Sequence, residues 1–296
     1  MADALSGLAD RAVVRRAALV VGLGNYTHSG TRHSIGQVVL RGLIACAERA
    51  DRELRGDVRR RCHVLQRRAE RAAAAPPGLC ALPASPPTEP FHMVRAARGW
   101  LARVSVLLDA APPAGAAARR VPSFSLDAYP YVLMDLFLYQ PRVLMNVSGP
   151  AVRAAAALLP DVRVPADILL LQDELARDFG KVSTKLGGSA GGHNGVRSVQ
   201  AALLGGARGR KGDAHDIARI RVGIGRPDDG DVNAWVLGQM PDAWLGRCGA
   251  GRPVGGGKTA PAEGGGEARD CADAGAPILE LVWKHTAAWC VQRQGP

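Results

Sequence analysis

The stretch AALVVGLGN, Ala17 to Asn25, decides the fold. From Ala17 to Leu23 there is no polar side chain, and Gly24 and Asn25 end the run. So short an apolar run suits a strand buried on both faces, opening into a loop. Ser34 stands where a helix cap belongs, and Ile35, Val38, Val39, Leu43, Cys46 and Ala47 then share one helical face. The same alternation returns downstream. Tyr131 to Leu138 reads as a strand, and Ser148 caps a helix that begins near Pro150 and runs to Leu159. Asp167 to Gln172, with ILLL, reads as a buried strand. A helix spans Asn194 to Leu204, a strand Ile217 to Ile224, and a last helix places Ile278, Leu281, Val282, His285 and Trp289 on one side. Strands alternating with helices imply a single α/β domain with a twisted, mixed, mainly parallel sheet flanked by helices. There is no internal repeat.

Two stretches break this pattern. Residues 67–128 are rich in Ala, Pro and Arg, with AAAAPPGLCALPASPP at their start and PPAGAA near Pro112. Between these, Ala97, Trp100, Leu101, Val104, Leu107 and Leu108 have helical spacing. The stretch therefore reads as a disordered insert carrying one amphipathic helix. Residues 249–275 are glycine-rich and read as a linker ahead of a C-terminal helix at 277–292. The expected organisation is a domain over 17–240, interrupted by the insert.

The chain carries a formal net charge of +11, which favours a polyanionic partner over an acidic one. The insert, with eight arginines against four acids, holds about four of those charges, so the excess extends beyond it. None of the six cysteines forms a Cys-x-x-Cys pair, which argues against a zinc site and for reduced thiols inside a cell. No secretory leader and no run of membrane-spanning length is read, so no membrane association is expected. The first sixteen residues hold Arg11, Arg15 and Arg16 but also Asp3 and Asp10, which is not the acid-free pattern of a mitochondrial presequence.

Four segments hold the chemistry: VVGLGN (Val20 to Asn25) with GTRHSIG (Gly30 to Gly36); RVLMNVSG (Arg142 to Gly149); LLLQDEL (Leu169 to Leu175), leading through Gly180–Lys181 to KLGGSAGGHNG (Lys185 to Gly195); and RIRVGIGRP (Arg219 to Pro227), with WVLG (Trp235 to Gly238) behind it. A dinucleotide site is excluded, because Thr27 occupies the last position that Gly-x-Gly-x-x-Gly needs. An imidazole such as His33 can take a proton from water at working pH, and a carboxylate at a strand end, Asp173, can orient such a ring. Taken alone, His33 is also a packing or capping residue, and Asp173 a turn cap.

In their order and spelling these segments resemble the bacterial-type peptidyl-tRNA hydrolase family, which also occurs in eukaryotes. The likeness covers about half the chain, roughly 17–50, 129–204 and 217–240. It implies hydrolysis of the ester between a peptide and the 3′-terminal ribose of tRNA. His33 matches the family's catalytic histidine and Asp173 its pairing aspartate. Asn25 and Asn146 would position peptide and water, and Asn194 the water or ester. Gly188 to Gly192 would offer backbone amides to the peptide. Lys185 and Arg221, with Arg226 as a further candidate, would meet tRNA phosphates, contacts that give affinity but little sequence information. No metal or organic cofactor is implied. The partner is peptidyl-tRNA, and the expectation is a cytoplasmic monomer, with a mitochondrial location left open. The alternative is a catalytically weak RNA-binding protein of the same fold.

Departures from the family pattern are visible too. Tyr26-Thr27 follow Asn25 where Pro-Gly is usual, and the loop to His33 is short. Gln172 stands where histidine is common. The insert falls where the family has a pair of strands, which are expected to be displaced, shortened or absent.

Overall fold

The computed structural model describes residues 13–71, 82–110, 131–205, 216–227, 230–249 and 277–292. The strands are β1 (Val13–Gly22), β2 (Glu89–Val94), β3 (Gly99–Asp109), β4 (Tyr131–Pro141), β5 (Ile168–Glu174), β6 (Val182–Leu186) and β7 (Ala218–Gly223). The helices are α1 (Ile35–Arg71), α2 (Ser148–Ala157), α3 (Asn194–Leu204), α4 (Val232–Leu237), α5 (Asp242–Arg247) and α6 (Pro277–Gln292). Among the described residues the strands form one seven-stranded sheet in the order β2-β3-β4-β1-β5-β7-β6. The inner strands β4, β1, β5 and β7 run parallel. Antiparallel pairing of β2 with β3, β3 with β4, and β6 with β7 closes both edges.

Alternation along the strands sorts the core into two layers. Val20, Leu169, Leu171, Ile220 and Val222 pack with Ile35, Val39, Leu43 and Cys46 of α1 and with Ile278, Leu279 and Val282 of α6. Leu19, Val21, Leu170 and Ile168 pack on the other face against Val152, Ala155 and Ala156 of α2 and Val196 and Val199 of α3. This is the flanked, mixed, mainly parallel sheet that the sequence implies.

The region 67–128 departs from expectation. The helix read over 97–108 is the strand β3, paired with β4 along its whole length from Gly99↔Pro141 to Asp109↔Tyr131. A four-residue loop, Arg95 to Arg98, joins it to β2, and Arg98 takes the left-handed conformation at φ 56°. The reason lies in burial on both faces. Ala102, Val104, Val106 and Leu108 point into one layer and Leu101 into the other. A strand apolar on both sides satisfies helical spacing as well as alternation. Residues 67–71 thus end α1, and from Glu89 to Asp109 the stretch is a pair of strands in the sheet, not a helix within a disordered insert. Its Ala/Pro-rich flanks at 72–81 and 111–130, and the glycine-rich stretch beyond Gly249, lie outside the described residues.

Smaller corrections concern helix ends. The Ser34 hydroxyl donates to His28 O at 2.9 Å and accepts from Asn25 N at 3.1 Å, so it fastens a loop instead of capping α1. Ser148 lies inside α2, where its hydroxyl donates to Leu144 O at 3.4 Å. In α6, Leu281 is exposed and Trp283 and Thr286 face inward, while His285 meets Thr184 Oγ1 at 2.9 Å. Among the described residues, no helix is long and apolar enough to cross a membrane.

Candidate active site

The polar residues gather at the carboxyl ends of β1 and β5, where an open α/β sheet presents a crevice. Two glycines bring α1 there. A Cβ on Gly36 would sit 2.2 Å from Leu171 O, and one on Gly22 would sit 2.7 Å from Gly36 O. Without side chains at both, the start of α1 lies directly on β1 and β5. The one-turn 3₁₀ segment Arg32–Ser34 just before α1 is thereby held over the end of β5.

His33 Nδ1 lies 2.8 Å from Asp173 Oδ1. The Asp173 side chain is 4% exposed and that of His33 14%. A second imidazole reaches the same oxygen, His193 Nε2 at 3.0 Å. His193 Nδ1 accepts from the backbone N–H of Gly195 at 3.1 Å and of Val196 at 3.3 Å, capping α3. Those two donors put the ring proton of His193 on Nε2, pointing at Asp173. Burial works to raise the Asp173 carboxyl, but the electrostatic attraction and hydrogen bond of His193, and the hydrogen bond and attraction of His33, outweigh it. They hold the carboxyl well below its ordinary range. Asp173 is therefore a carboxylate, His33 donates to it through Nδ1, and the free lone pair of His33 is on Nε2.

The segment bearing His33 is also clamped from the side. The Arg32 guanidinium lies 3.9 Å from the ring centroid of Trp235 and donates to Trp235 O at 3.2 Å. Arg32 N donates to Gly238 O at 3.0 Å, and Thr31 bridges to Gln239. Phe179 stacks on Trp244 with ring centroids 3.5 Å apart, beside the same guanidinium. WVLG thus acts as the strap that holds the histidine turn.

The asparagines surround this centre. Asn25 Oδ1 accepts from Met145 N at 2.6 Å, so its carbonyl is committed to fixing the turn Met145–Val147. Asn146, in that turn, is exposed. Asn194 opens α3 beside His193 and is exposed, its Oδ1 accepting from Arg197 at 3.4 Å.

Lys185 and Arg221 stand on the antiparallel pair β6–β7, facing the α3 side of the sheet together with Arg219. Arg221 pairs with Glu174 at 3.1 Å. Burial and the neighbouring Arg219 and Arg221 pull the Lys185 ammonium below its ordinary value, with Glu174 opposing. Arg219 is buried and donates to the carbonyls of Ser189 at 3.1 Å, Gly188 at 3.4 Å and Gly187. It therefore shapes the GGSAGG loop from beneath. Arg226 is exposed on the loop after β7.

Sequence reasoning missed His193 and Arg219. The signal for His193 was its place directly before Asn194, at a helix start where Ser, Thr, Asp or Asn is usual. Arg219 carries no signal beyond an arginine within a strand. Among the described residues, His33, Asp173 and His193 are the trio whose ligand-capable atoms fall within 4.8 Å of one another. In this geometry both imidazoles point N–H at one carboxylate oxygen, an arrangement that handles protons. A metal would have to displace both hydrogen bonds.

An imidazole held by a carboxylate in a crevice at the carboxyl end of a mixed α/β sheet is a site equipped for proton transfer. Residues 123–245 match the family model for peptidyl-tRNA hydrolase. Peptidyl-tRNA hydrolase of Mycobacteroides abscessus is 47% identical over 101 residues, 34% of this chain and 46% of that protein. The Mycobacterium leprae protein is 47% identical over 93 residues, 31% and 41% of the two chains. That of Geobacter metallireducens is 39% identical over 108 residues, 36% and 50%. The matches thus span half or less of the length of these relatives. The crystal structure of peptidyl-tRNA hydrolase from Acinetobacter baumannii overlays 93% of each chain with a TM-score of 0.44 and 18% identity, too loosely to bear on any detail.

Proposed function

We propose that the protein hydrolyses peptidyl-tRNA, with His33 as general base and Asp173 as its orienting carboxylate. The observation that carries this reading is the 2.8 Å contact between His33 Nδ1 and Asp173 Oδ1, which leaves His33 Nε2 as the acceptor in the crevice. Water attacks the carbonyl carbon that joins the peptide to the 3′-terminal ribose. His33 Nε2 takes a proton as the new C–O bond forms, and the imidazolium is stabilised by the ionised Asp173. Collapse of the tetrahedral intermediate breaks the bond to the ribose oxygen, which receives that proton. Peptide acid and free tRNA leave.

On this reading Asn146 and Asn194 meet peptide, ester or water from the crevice wall, and Asn25 acts through the Met145 turn it secures. Gly188 to Gly192 lie beside the peptide, and Lys185 and Arg221 lie against acceptor-end phosphates. The functional unit runs over 17–240 with the 277–292 helix packed on it, working as a monomer in the cytoplasm or the mitochondrion. The test is release of tRNA from an N-blocked aminoacyl-tRNA by the purified full chain. Tight tRNA binding with no release would instead favour an RNA-binding protein of the same fold.

A further inference from the structure

Helix α1 extends past the core it packs on. It has 37 residues, about 55 Å at 1.5 Å each. Val58 and Cys62 are its last buried side chains among those described. Residues 59–71 hold six arginines against one acid, Glu70. Arg59, Arg60, Arg67 and Arg71 are exposed. Asp57 pairs with Arg60 at the base of this segment, with half of its own side chain in water. Seven- and four-residue spacing aligns Arg60, Arg67 and Arg71 along one side of the helix, over about 16 Å.

We propose that residues 59–71 are a docking arm for the phosphate backbone of a folded RNA other than the tRNA held in the cleft. Charge complementarity sets the class of partner. A membrane surface fits poorly, because an interfacial helix needs a continuous apolar face with large side chains. Here Cys62 is buried, and Val64, Leu65 and Ala69 are the only other apolar residues. The separation from the cleft follows from topology. His33 precedes the amino end of α1, whereas the arm is its carboxyl end, so the helix length lies between them. Lys185 and Arg221 stand on β6–β7 at one edge of the sheet, whereas Val58 and Cys62 at the root of the arm pack on Leu107, Tyr131 and Leu133 of β3 and β4, toward the other edge. A tRNA lying along β6–β7 would leave the arm free for a second RNA. The proposal goes beyond the hydrolase reading; its separation from the cleft rests on that reading, while the arm's own binding is measured without it.

The experiment measures binding of the full chain to a labelled RNA hairpin with no acylated 3′ end, across a salt series. Wild type is compared with the triple variants Arg60→Glu/Arg67→Glu/Arg71→Glu and Arg60→Gln/Arg67→Gln/Arg71→Gln. Both variants are expected to bind at least about tenfold more weakly and to lose roughly two to three units of salt slope, near one per phosphate contact. Glutamine keeps good helix propensity, so the glutamine variant, with native circular dichroism, separates lost charge from lost helix. Saturating hairpin is expected to leave wild-type turnover of N-blocked aminoacyl-tRNA unchanged. Unaltered affinity and slope in the glutamine variant, or competitive inhibition of turnover by the hairpin, overturns the arm as a separate site. Failure of the wild type to release tRNA would count against the hydrolase reading alone, since the arm is measured by binding.

Discussion

Asp167 and Asp173 stand at the two ends of one strand, β5, and both are buried. Their partners make them different devices. Asp167 takes the Arg163 guanidinium at 2.8 and 3.0 Å and the Arg163 backbone N–H at 2.9 Å. That clasp is local in sequence, closes a turn, and is held by a cation that does not release its proton. Asp173 instead takes two imidazoles brought from 140 and 20 residues away. Its partners can gain and lose protons, and one of them meets the crevice. A carboxylate at a strand end becomes a working group or a fastener according to what the fold delivers to it.

Removing the working partner should have the largest effect. His33→Ala is expected to slow single-turnover release of tRNA by about 10² to 10⁴, with tRNA affinity and melting temperature close to wild type. Release at the wild-type rate by a folded variant would dissolve the contrast between the two aspartates.

Asp173→Asn sharpens the contrast by removing charge alone. Both imidazoles donate to one oxygen, Oδ1, so an amide oxygen can still receive them. Release should slow by about 10², at the lower end of the range for losing acid–base help. Stability should respond to pH in a defined direction. A depressed carboxyl contributes stability that is fully present above its ordinary value and is lost as pH falls through its lowered native value. Chemical denaturation at several acidic pH values should therefore show a shallower acid decline in the variant. Parallel curves would mean that the folded state does not hold the carboxyl down.

His193→Ala takes away the second donor and the cap of α3 together. The expected cost is about 1 kcal/mol of stability from the cap, with a smaller loss of rate than Asp173→Asn. A rate loss equal to that of His33→Ala would make His193 a direct participant in the chemistry.

Asp167→Asn should have the least effect on turnover. Arg163 is largely solvated, so a loss of about 1–2 kcal/mol is expected for the weakened hydrogen bonds, with kcat unchanged. A fall in kcat at full folding would show that the clasp also controls the site.

Much of this arrangement was legible in the chain itself. The runs around Leu19 and Leu169 read as buried strands because parallel inner strands are apolar on both sides. His33 and Asp173 stood out because an imidazole and a carboxylate each follow such a strand. The same two-sided burial misled at Trp100 to Leu108, where apolar residues at helical spacing turned out to be β3. Covering by helices on both faces, and pairing with β4 along its whole length, decided that segment, and neither can be seen locally.

What the sequence determined by itself was the inner strands β1, β4, β5 and β7, the helices α1, α2, α3 and α6, and the types of residue that end them. Those depend on neighbours within a few residues, through periodicity and turn chemistry. Only the tertiary structure decided that His193 shares the oxygen of Asp173 with His33, that Asn25 spends its carbonyl on Met145, and that Arg219 lies beneath the glycine loop. Each of those is a contact across tens of residues or more. It exists because Gly22 and Gly36 let α1 rest on β1 and β5, and because the sheet sets those strand ends side by side.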